Sequence, residues 1–231
     1  MKKAMIDHMQ KPPYDHFDTP NYAITPLLHF IPQDWTIWEP TDSTGESQIP
    51  QIFQNNGNKV VTTDRDTLDF LHDNPSFHFD CIVTNPPYSI KNEFIEKCIA
   101  YGNQGKKWAL LMPLTALESV EREKLFSQLD PLIHNPLRSL EPTTRHFTNS
   151  IRGTDTIEPL PLTGQLGLLI FSRRVEFLVN TETGVWFSTA WFCFGLLPRQ
   201  LIFYPLTVPS KKRSSPKHKD QAELFACSQE S

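Results

Sequence analysis

The chain has 231 residues, with 22 lysines and arginines against 26 aspartates and glutamates, so its formal net charge is −4. This length suits one domain with a single core, and we expect one domain over 1–206 followed by a basic, disordered tail over 207–231. The acidic balance argues against a protein that wraps long stretches of nucleic acid, although a basic face could still form locally.

The cysteines and histidines point to a reduced, metal-free protein. The four cysteines are scattered without a C-x-x-C pair, which excludes a disulfide framework and a zinc site of the usual spacing. The eight histidines show no ligand spacing, so we predict no metal. The amino-terminal residues are polar where a signal peptide is apolar, and no run approaches the ~20 apolar residues of a membrane span. We therefore predict a cytoplasmic protein that does not contact a membrane.

Short apolar, β-prone runs recur along the first half of the chain, after a loose polar arm over 1–16. The residues at 41–46 form a turn after the first of these runs and lead into a helix. The predicted strands of this half are Thr36–Pro40, Lys59–Asp64, Phe79–Thr84 and Lys107–Pro113.

Helical periodicity follows two of these strands. One helix is predicted over Asn92–Tyr101, and a second over Glu118–Leu129, with Val120, Leu125 and Leu129 facing inward. Strands that alternate with helices at this spacing predict a mainly parallel sheet.

The alternation of predicted strands and helices stops over 130–165, which is rich in Pro, Thr, Arg and Asn. A long irregular excursion inside a domain is functional or disordered, so its arginines either contact substrate phosphates or belong to a mobile insertion without a role. The sheet is predicted to resume with Leu166–Phe171, Val175–Val179, Trp186–Gly195 and Gln200–Tyr204.

The sequence Asn85-Pro86-Pro87-Tyr88 directly follows the strand predicted at Phe79–Thr84. The two prolines end the strand and stiffen the loop. The Asn85 amide oxygen and the Pro86 carbonyl are two acceptors, which suit the two N–H donors of an exocyclic amine. Tyr88 offers a flat face for a planar group. A proline-rich turn capped by asparagine is the simpler alternative for four residues alone.

With its preceding strand, this loop resembles the catalytic loop of S-adenosylmethionine-dependent amino methyltransferases, especially the small phage and bacterial adenine-N6 DNA methyltransferases. The resemblance spans about residues 17–130, with weaker similarity near 167–206. It implies a Rossmann-like class I methyltransferase fold, that is, a mostly parallel seven-stranded sheet with helices on both faces. It also implies S-adenosyl-L-methionine as cofactor, DNA as partner, and methyl transfer to the N6 amine of a flipped adenine. Asn85, Pro86, Pro87 and Tyr88 would then be catalytic.

The resemblance implies further cofactor contacts at three points. In the family a Thr-Pro before a short helix touches the methionine carboxylate, which assigns Thr19 and Pro20; ordinary helix capping explains them as well. An acid at the end of a second strand commonly binds ribose hydroxyls, which points to Asp64. The next acid accepts from the cofactor adenine in the family. Asp69 is the better match for this role, with Asp66 in reserve.

The turn after the first strand resembles the glycine loop of the family. Glu39, Pro40 and Gly45 match that pattern and are predicted to bind the cofactor. Ser43 stands where the family has its first glycine, and its Cβ disfavours φ > 0 conformations. This departure puts cofactor affinity in question.

Two later segments carry weaker predictions. Family resemblance places an aromatic segment near the target base, which makes Trp191 and Phe192 stacking candidates, although such a cluster is more often core. Gln221–Phe225 resembles short peptides that bind bacterial sliding clamps, although chance is the better explanation of five residues. The basic tail around it could contact a nucleic-acid backbone.

Three other functions stay open. The same loop serves enzymes that methylate RNA or protein glutamine side chains, and the acidic composition fits these about as well. Ser43 also leaves room for a catalytically silent protein of the same fold. A Rossmann-type dehydrogenase is disfavoured, since no G-x-G-x-x-G follows the first strand.

Overall fold

In the computed structural model, the described residues are 18–42, 45, 47–129, 165–177 and 187–206. Within them the α-helices are α1 (Asn21–Ile24), α2 (Gln48–Asn55), α3 (Lys91–Asn103) and α4 (Val120–Phe126). The strands are β1 (Thr36–Glu39), β2 (Lys59–Thr62), β3 (Cys81–Thr84), β4 (Lys107–Pro113), β5 (Leu166–Phe171), β6 (Thr189–Phe194) and β7 (Leu201–Tyr204). Short 3-10 helices lie at Thr25–His29, Tyr88–Ile90 and Leu114–Leu117.

The described strands form one seven-stranded sheet in the order β2-β1-β3-β4-β6-β5-β7. β6 runs antiparallel to both of its neighbours, while every other pairing is parallel. The chain passes from β1 to β2 on one side of β1 and then to β3 on the other side, so the direction of strand addition reverses at β1. The predicted mostly parallel seven-stranded sheet is confirmed.

Helices cover both faces of the sheet, as predicted. On one face α1 and α2 pack Ile24, Ile49 and Phe53 against alternate residues of the central strands, such as Ile37 and Leu111. On the other face α3 and α4 pack against the intervening residues of the same strands, and this core includes Trp38, Ile82, Trp108, Leu110, Phe94, Ile95, Leu125 and Phe126. Burial on both faces explains why β3 and β4 read as continuous apolar runs.

The reversal between β1 and β3 places a topological switch point where their carboxyl ends diverge. In open α/β sheets, ligands bind in the crevice outside the carboxyl ends of the strands at this point. β1 ends at Glu39 and β3 ends at Thr84. The loops that follow these two residues therefore form the candidate ligand site.

Two predictions about local structure are wrong. The strand predicted at Val175–Val179 is absent from its described part, 175–177, where Val175 and Phe177 are buried in irregular backbone. The main chain of Glu176 instead bonds to the Tyr22 hydroxyl, which accepts from its N–H at 2.8 Å and donates to its C=O at 3.1 Å. Val120, predicted to face inward, is 70% exposed because it begins α4 at the solvent side.

Some predictions lie outside the described residues: the excursion over 130–164, the tail over 207–231 and the clamp-like peptide Gln221–Phe225. In the part that is described, no helix is long and apolar enough to cross a membrane. Across the same residues, no group of three or more His, Cys, Asp or Glu side chains is arranged to hold a metal ion.

Candidate functional site

A cavity of about 440 Å³ opens at the switch point, within the size range of small-molecule sites. Residues from the loop after β1, the segment after β2 and the loop after β3 all contribute to its wall. The lining residues are Pro40, Thr41, Asp64, Arg65, Asp69, Phe70, Leu71, His72, Pro87, Ile90 and Phe94. Four predicted site residues, Pro40, Asp64, Asp69 and Pro87, are thus brought together around one space.

The loop after β3 is rigid where the sequence predicts a stiff elbow. Asn85 is half-buried and Pro86 is buried. The 3-10 helix that starts at Tyr88 closes the loop, with the Ile90 N–H donating to the Pro87 C=O at 3.2 Å. The Lys91 ammonium donates to the Tyr88 C=O at 3.0 Å. Asn85 therefore sits at the carboxyl end of a central strand, one proline away from the wall of the cavity.

Phe187 is an aromatic neighbour of this loop that the sequence prediction missed. Its ring centroid lies 5.6 Å from that of Tyr88, at an interplanar angle of 73°. Phe187 precedes β6, and the first residue of β6, Thr189, pairs in register with Pro113 at the carboxyl end of β4. Since β6 is antiparallel, its beginning lies at the same sheet edge as Asn85. The sequence analysis places Phe187 inside a strand that begins at Trp186, whereas β6 begins at Thr189, so Phe187 lies before the strand.

Trp191 and Phe192, the predicted stacking residues, are not brought to the site. Both are fully buried inside β6. The Trp191 indole N–H donates to the Ala23 C=O at 2.7 Å, and the Phe192 ring stacks on Phe126 at 5.8 Å. β6 lies between β4 and β5 and is covered on both faces, so neither ring is open to a base. We assign both residues to the core as a correction.

Replacing Trp191 by phenylalanine tests this assignment. The change removes the indole N–H and leaves the Ala23 carbonyl buried without its donor, which costs about 1–3 kcal/mol of unfolding free energy. Urea unfolding followed by circular dichroism measures the loss. Binding of substrate by the folded variant is expected to match the wild type, and a selective loss of substrate affinity at unchanged stability would return Trp191 to the site.

Asp64 lies just beyond β2, which ends two residues earlier than predicted. Its Oδ1 accepts hydrogen bonds from the Thr67 hydroxyl at 2.6 Å, the Thr67 N–H at 2.8 Å and the Asp66 N–H at 3.1 Å. The hydroxyl of Thr67 is the largest cause that lowers the pKa of Asp64. These bonds all use one oxygen, so the carboxylate is held ionised and oriented at the wall of the cavity.

Asp69 is the second acid of the cavity. Its Oδ1 accepts from the Leu71 N–H at 2.9 Å, and its Oδ2 lies 3.0 Å from His72 Nδ1. The His72 contact is the largest cause that lowers the pKa of Asp69. Asp66, the reserve candidate, is exposed and does not line the cavity. The geometry therefore favours Asp69 over Asp66.

Glu39 is buried beneath the site, only 1% exposed, and does not line the cavity itself. Its Oε1 accepts from the main-chain N–H of Thr41 and lies 2.8 Å from the hydroxyl oxygens of Thr41 and Thr84, within hydrogen-bond distance of both. Burial is the largest influence and raises the pKa of Glu39 to about 7, although the threonine hydrogen bonds oppose it. Glu39 thus connects the ends of β1 and β3 from below.

The other predicted cofactor residues lie outside the cavity wall. Thr19 and Pro20 are buried, and Pro20 precedes α1 without a side-chain cap. Gly45 has a φ of +69°, a conformation that L-residues with a Cβ rarely adopt. The backbone therefore requires glycine at this position of the loop after β1, which is consistent with a glycine loop.

Comparisons with known proteins give weak similarities. No family model matches the chain, and no curated protein matches it. A candidate class I S-adenosylmethionine-dependent methyltransferase from Listeria monocytogenes superposes with a TM-score of 0.47 and 10% identity, over 90% of this chain and 72% of that one. A candidate methyltransferase from Thermoplasma acidophilum gives a TM-score of 0.32 and 12% identity, over 75% of this chain and 72% of its own. Similarities of this size carry no argument, so the fold rests on the order and direction of the strands.

Proposed function

We propose that the protein is an S-adenosylmethionine-dependent N-methyltransferase that modifies the N6 amine of adenine in DNA. The observation that carries the proposal is the meeting of two features at the switch point. The Asn85 loop offers acceptors for an amine, and it borders, through Pro87, a cavity whose wall holds two oriented carboxylates. A methyl donor and a nitrogen acceptor would there lie side by side.

The residues of the cavity fit an adenosine-containing cofactor. Two carboxylates at the wall, Asp64 and Asp69, suit hydroxyl and amine donors, since ionised carboxylates only accept hydrogen bonds. Phe70, Ile90 and Phe94 supply an apolar wall for a planar base. Asp64 would hold the ribose hydroxyls and Asp69 the adenine amine. S-adenosylmethionine, when bound, supplies an electrophilic methyl group on a sulfonium and leaves as a neutral thioether.

The protein's own part in the reaction is to position one amine. Asn85 Oδ1 and the Pro86 carbonyl would accept the two N–H bonds of the target, which turns the nitrogen lone pair toward the methyl group. The same acceptors stabilise the positive charge that develops on nitrogen, and one of the two N–H protons leaves to solvent once the N–C bond has formed, which gives the neutral methylamine. No covalent intermediate with the protein is needed, so catalysis comes from orientation and electrostatics.

The target base must leave the duplex to reach this loop, which costs a few kcal/mol. Tyr88 is proposed to stack on the extruded base. Phe187, in edge-to-face contact with Tyr88, is proposed to border the same position and takes the role first assigned to Trp191 and Phe192. Stacking on one aromatic ring contributes about 1–3 kcal/mol per base, enough to offset much of the extrusion.

Calorimetry with S-adenosylmethionine tests the cofactor site. Asp64→Asn and Asp69→Asn are each expected to weaken binding about 10- to 150-fold, because each loses one charge-assisted hydrogen bond of roughly 1.5–3 kcal/mol. Asp66→Asn is the matched control, since this exposed carboxylate of the same segment lies off the cavity. Equal loss in all three variants would point to loop damage, and no binding by the wild type would remove the proposal.

Incubation with labelled cofactor and pools of DNA, RNA and protein tests the acceptor. Label in DNA, recovered as N6-methyladenine by mass analysis, is the expected result. Label in RNA or in protein glutamine would support the amine chemistry proposed for the loop and would identify RNA or protein, instead of DNA, as the substrate. Cofactor binding without transfer to any pool would instead identify a silent protein of this fold.

A further inference from the structure

Three oxygen atoms form a closed triangle beneath the site. The hydroxyls of Thr41 and Thr84 each lie 2.8 Å from Glu39 Oε1, and the two hydroxyl oxygens lie 2.6 Å from each other. All three separations are those of O–H···O hydrogen bonds. Thr84 is the last residue of β3, so the triangle stands one residue before Asn85 and ties the end of β1 to the end of β3.

The number of hydrogen atoms decides the charge of this triangle. Each threonine hydroxyl has one hydrogen to donate. If Glu39 is ionised, one of the three short O···O contacts therefore has no hydrogen atom between its two oxygens. A proton on Glu39 supplies the third hydrogen. Each oxygen then donates one bond and accepts one around a closed ring, and Glu39 Oε1 accepts a further bond from the Thr41 N–H at 2.9 Å.

The surroundings favour the same protonation state. Glu39 is buried, and burial raises its pKa to about 7. Among the described residues, the like charge of Asp42, in the loop after β1, acts in the same direction as burial and is included in this value, while the hydrogen bonds of Thr41 and Thr84 oppose both. β3 presents the Thr84 hydroxyl, and on the β2 side the Thr63 N–H donates to the main-chain carbonyl of Glu39 at 3.0 Å.

We propose that Glu39 is a neutral carboxylic acid closed into a hydrogen-bonded ring with Thr41 and Thr84, and that Thr84 acts through this ring as a positioning residue for Asn85. The positioning role rests on the function proposed above. Thr41 lines the cavity and Thr84 precedes Asn85, so the ring joins the cavity wall to the catalytic loop. Since a misplacement of about 1 Å can slow a reaction ~100-fold, this link governs rate more than affinity.

Infrared difference spectroscopy of the ligand-free protein tests the charge state. The wild type minus Glu39→Gln spectrum, taken at about pH 6 where ordinary surface acids are ionised, is expected to contain the carbonyl stretch of a protonated carboxylic acid. The band should shift in Thr84→Val, because the Thr84 hydroxyl takes part in two of the three hydrogen bonds of the ring. A difference spectrum with carboxylate bands alone overturns the proposal.

Hydrogen exchange measured by mass spectrometry tests the positioning. Thr84→Val keeps the shape of the side chain and removes its hydroxyl, so peptides covering 85–91 are expected to exchange at least about tenfold faster. Thr84→Ser restores the hydroxyl and should exchange like the wild type. Thr62→Val is the matched control, since Thr62 is exposed at the end of β2 and in register with Glu39.

Two results decide against the positioning role: wild-type exchange in Thr84→Val, or equal acceleration in the Thr62 control. If Thr84→Val does not fold, Thr41→Val opens the ring from its other corner, with the same expectation. These measurements use neither cofactor nor substrate. If Glu39 is protonated and the protein does not bind S-adenosylmethionine, the ring stands and the proposed function is contradicted. If Glu39 is ionised and the protein does bind S-adenosylmethionine, the proposed cofactor stands and the ring is contradicted.

Discussion

Replacing Asn85 by alanine is expected to slow methyl transfer by about three orders of magnitude, the loss typical of removing one group that stabilises developing charge. The side-chain oxygen would hold one N–H of the target amine and stabilise the positive charge that forms on nitrogen. Without it, the amine keeps only the Pro86 carbonyl and is free to rotate its lone pair away from the methyl group. Single-turnover kinetics with labelled cofactor measure the effect.

The affinity for S-adenosylmethionine is expected to change less than about threefold in the same variant, well under 1 kcal/mol, because Asn85 does not line the cavity. Asn103→Ala is the matched control, since Asn103 is exposed at the far end of α3. Near-normal turnover in Asn85→Ala would contradict the role assigned to the loop. Parallel loss of turnover and cofactor affinity would show that Asn85 supports the cavity and not the reaction.

The central strands could be predicted from the sequence because their residues are buried on both faces and their ends are marked. Lys107–Pro113 and Leu166–Phe171 have the bounds that the apolar runs indicate. The run at 175–179 looked the same, yet the position beside β5 is occupied by β7. Val175 and Phe177 then fill the core without joining the sheet. A strand-like apolar pattern indicates that a segment is buried, but it does not indicate which segment of the chain occupies a given position in the sheet.

Site residues that follow directly after a predicted strand could be predicted from the sequence. Residues whose role depends on whether their side chains are buried could not. Asp64, Asp69 and Pro87 follow strands that converge on one crevice, so chain order alone placed them near each other. Trp191 and Phe187 belong to the same aromatic run. Trp191 is a core residue because it lies inside β6, and Phe187 is a neighbour of Tyr88 because it lies before β6 begins. Glu39 carried no sign of its burial, because one hydroxyl partner lies in the loop after β1 and the other lies far along the chain, at the end of β3.

The stability of the protein is expected to fall as the pH rises from about 5 to about 8, and Glu39 is the reason. Its pKa is about 7 in the native protein, against 4.5 for the free side chain. Between these values the native state holds a proton that the unfolded chain has lost, so raising the pH favours unfolding. The full swing corresponds to about 3 kcal/mol, from ~1.4 kcal/mol for each unit.

Guanidinium unfolding of the wild type and of Glu39→Gln across this pH range measures the effect. The glutamine variant cannot ionise, so its stability should stay level where that of the wild type declines, and the difference between the two should change by about 3 kcal/mol over this range. Glu96→Gln, an exposed change on α3, should keep the wild-type slope. The lowered pKa values of Asp64 and Asp69 act in another window, because their stabilisation is lost only as the pH falls below about 4. A wild-type curve as level as that of Glu39→Gln between pH 5 and pH 8 would mean that the native protein holds Glu39 ionised, and it would contradict this expectation.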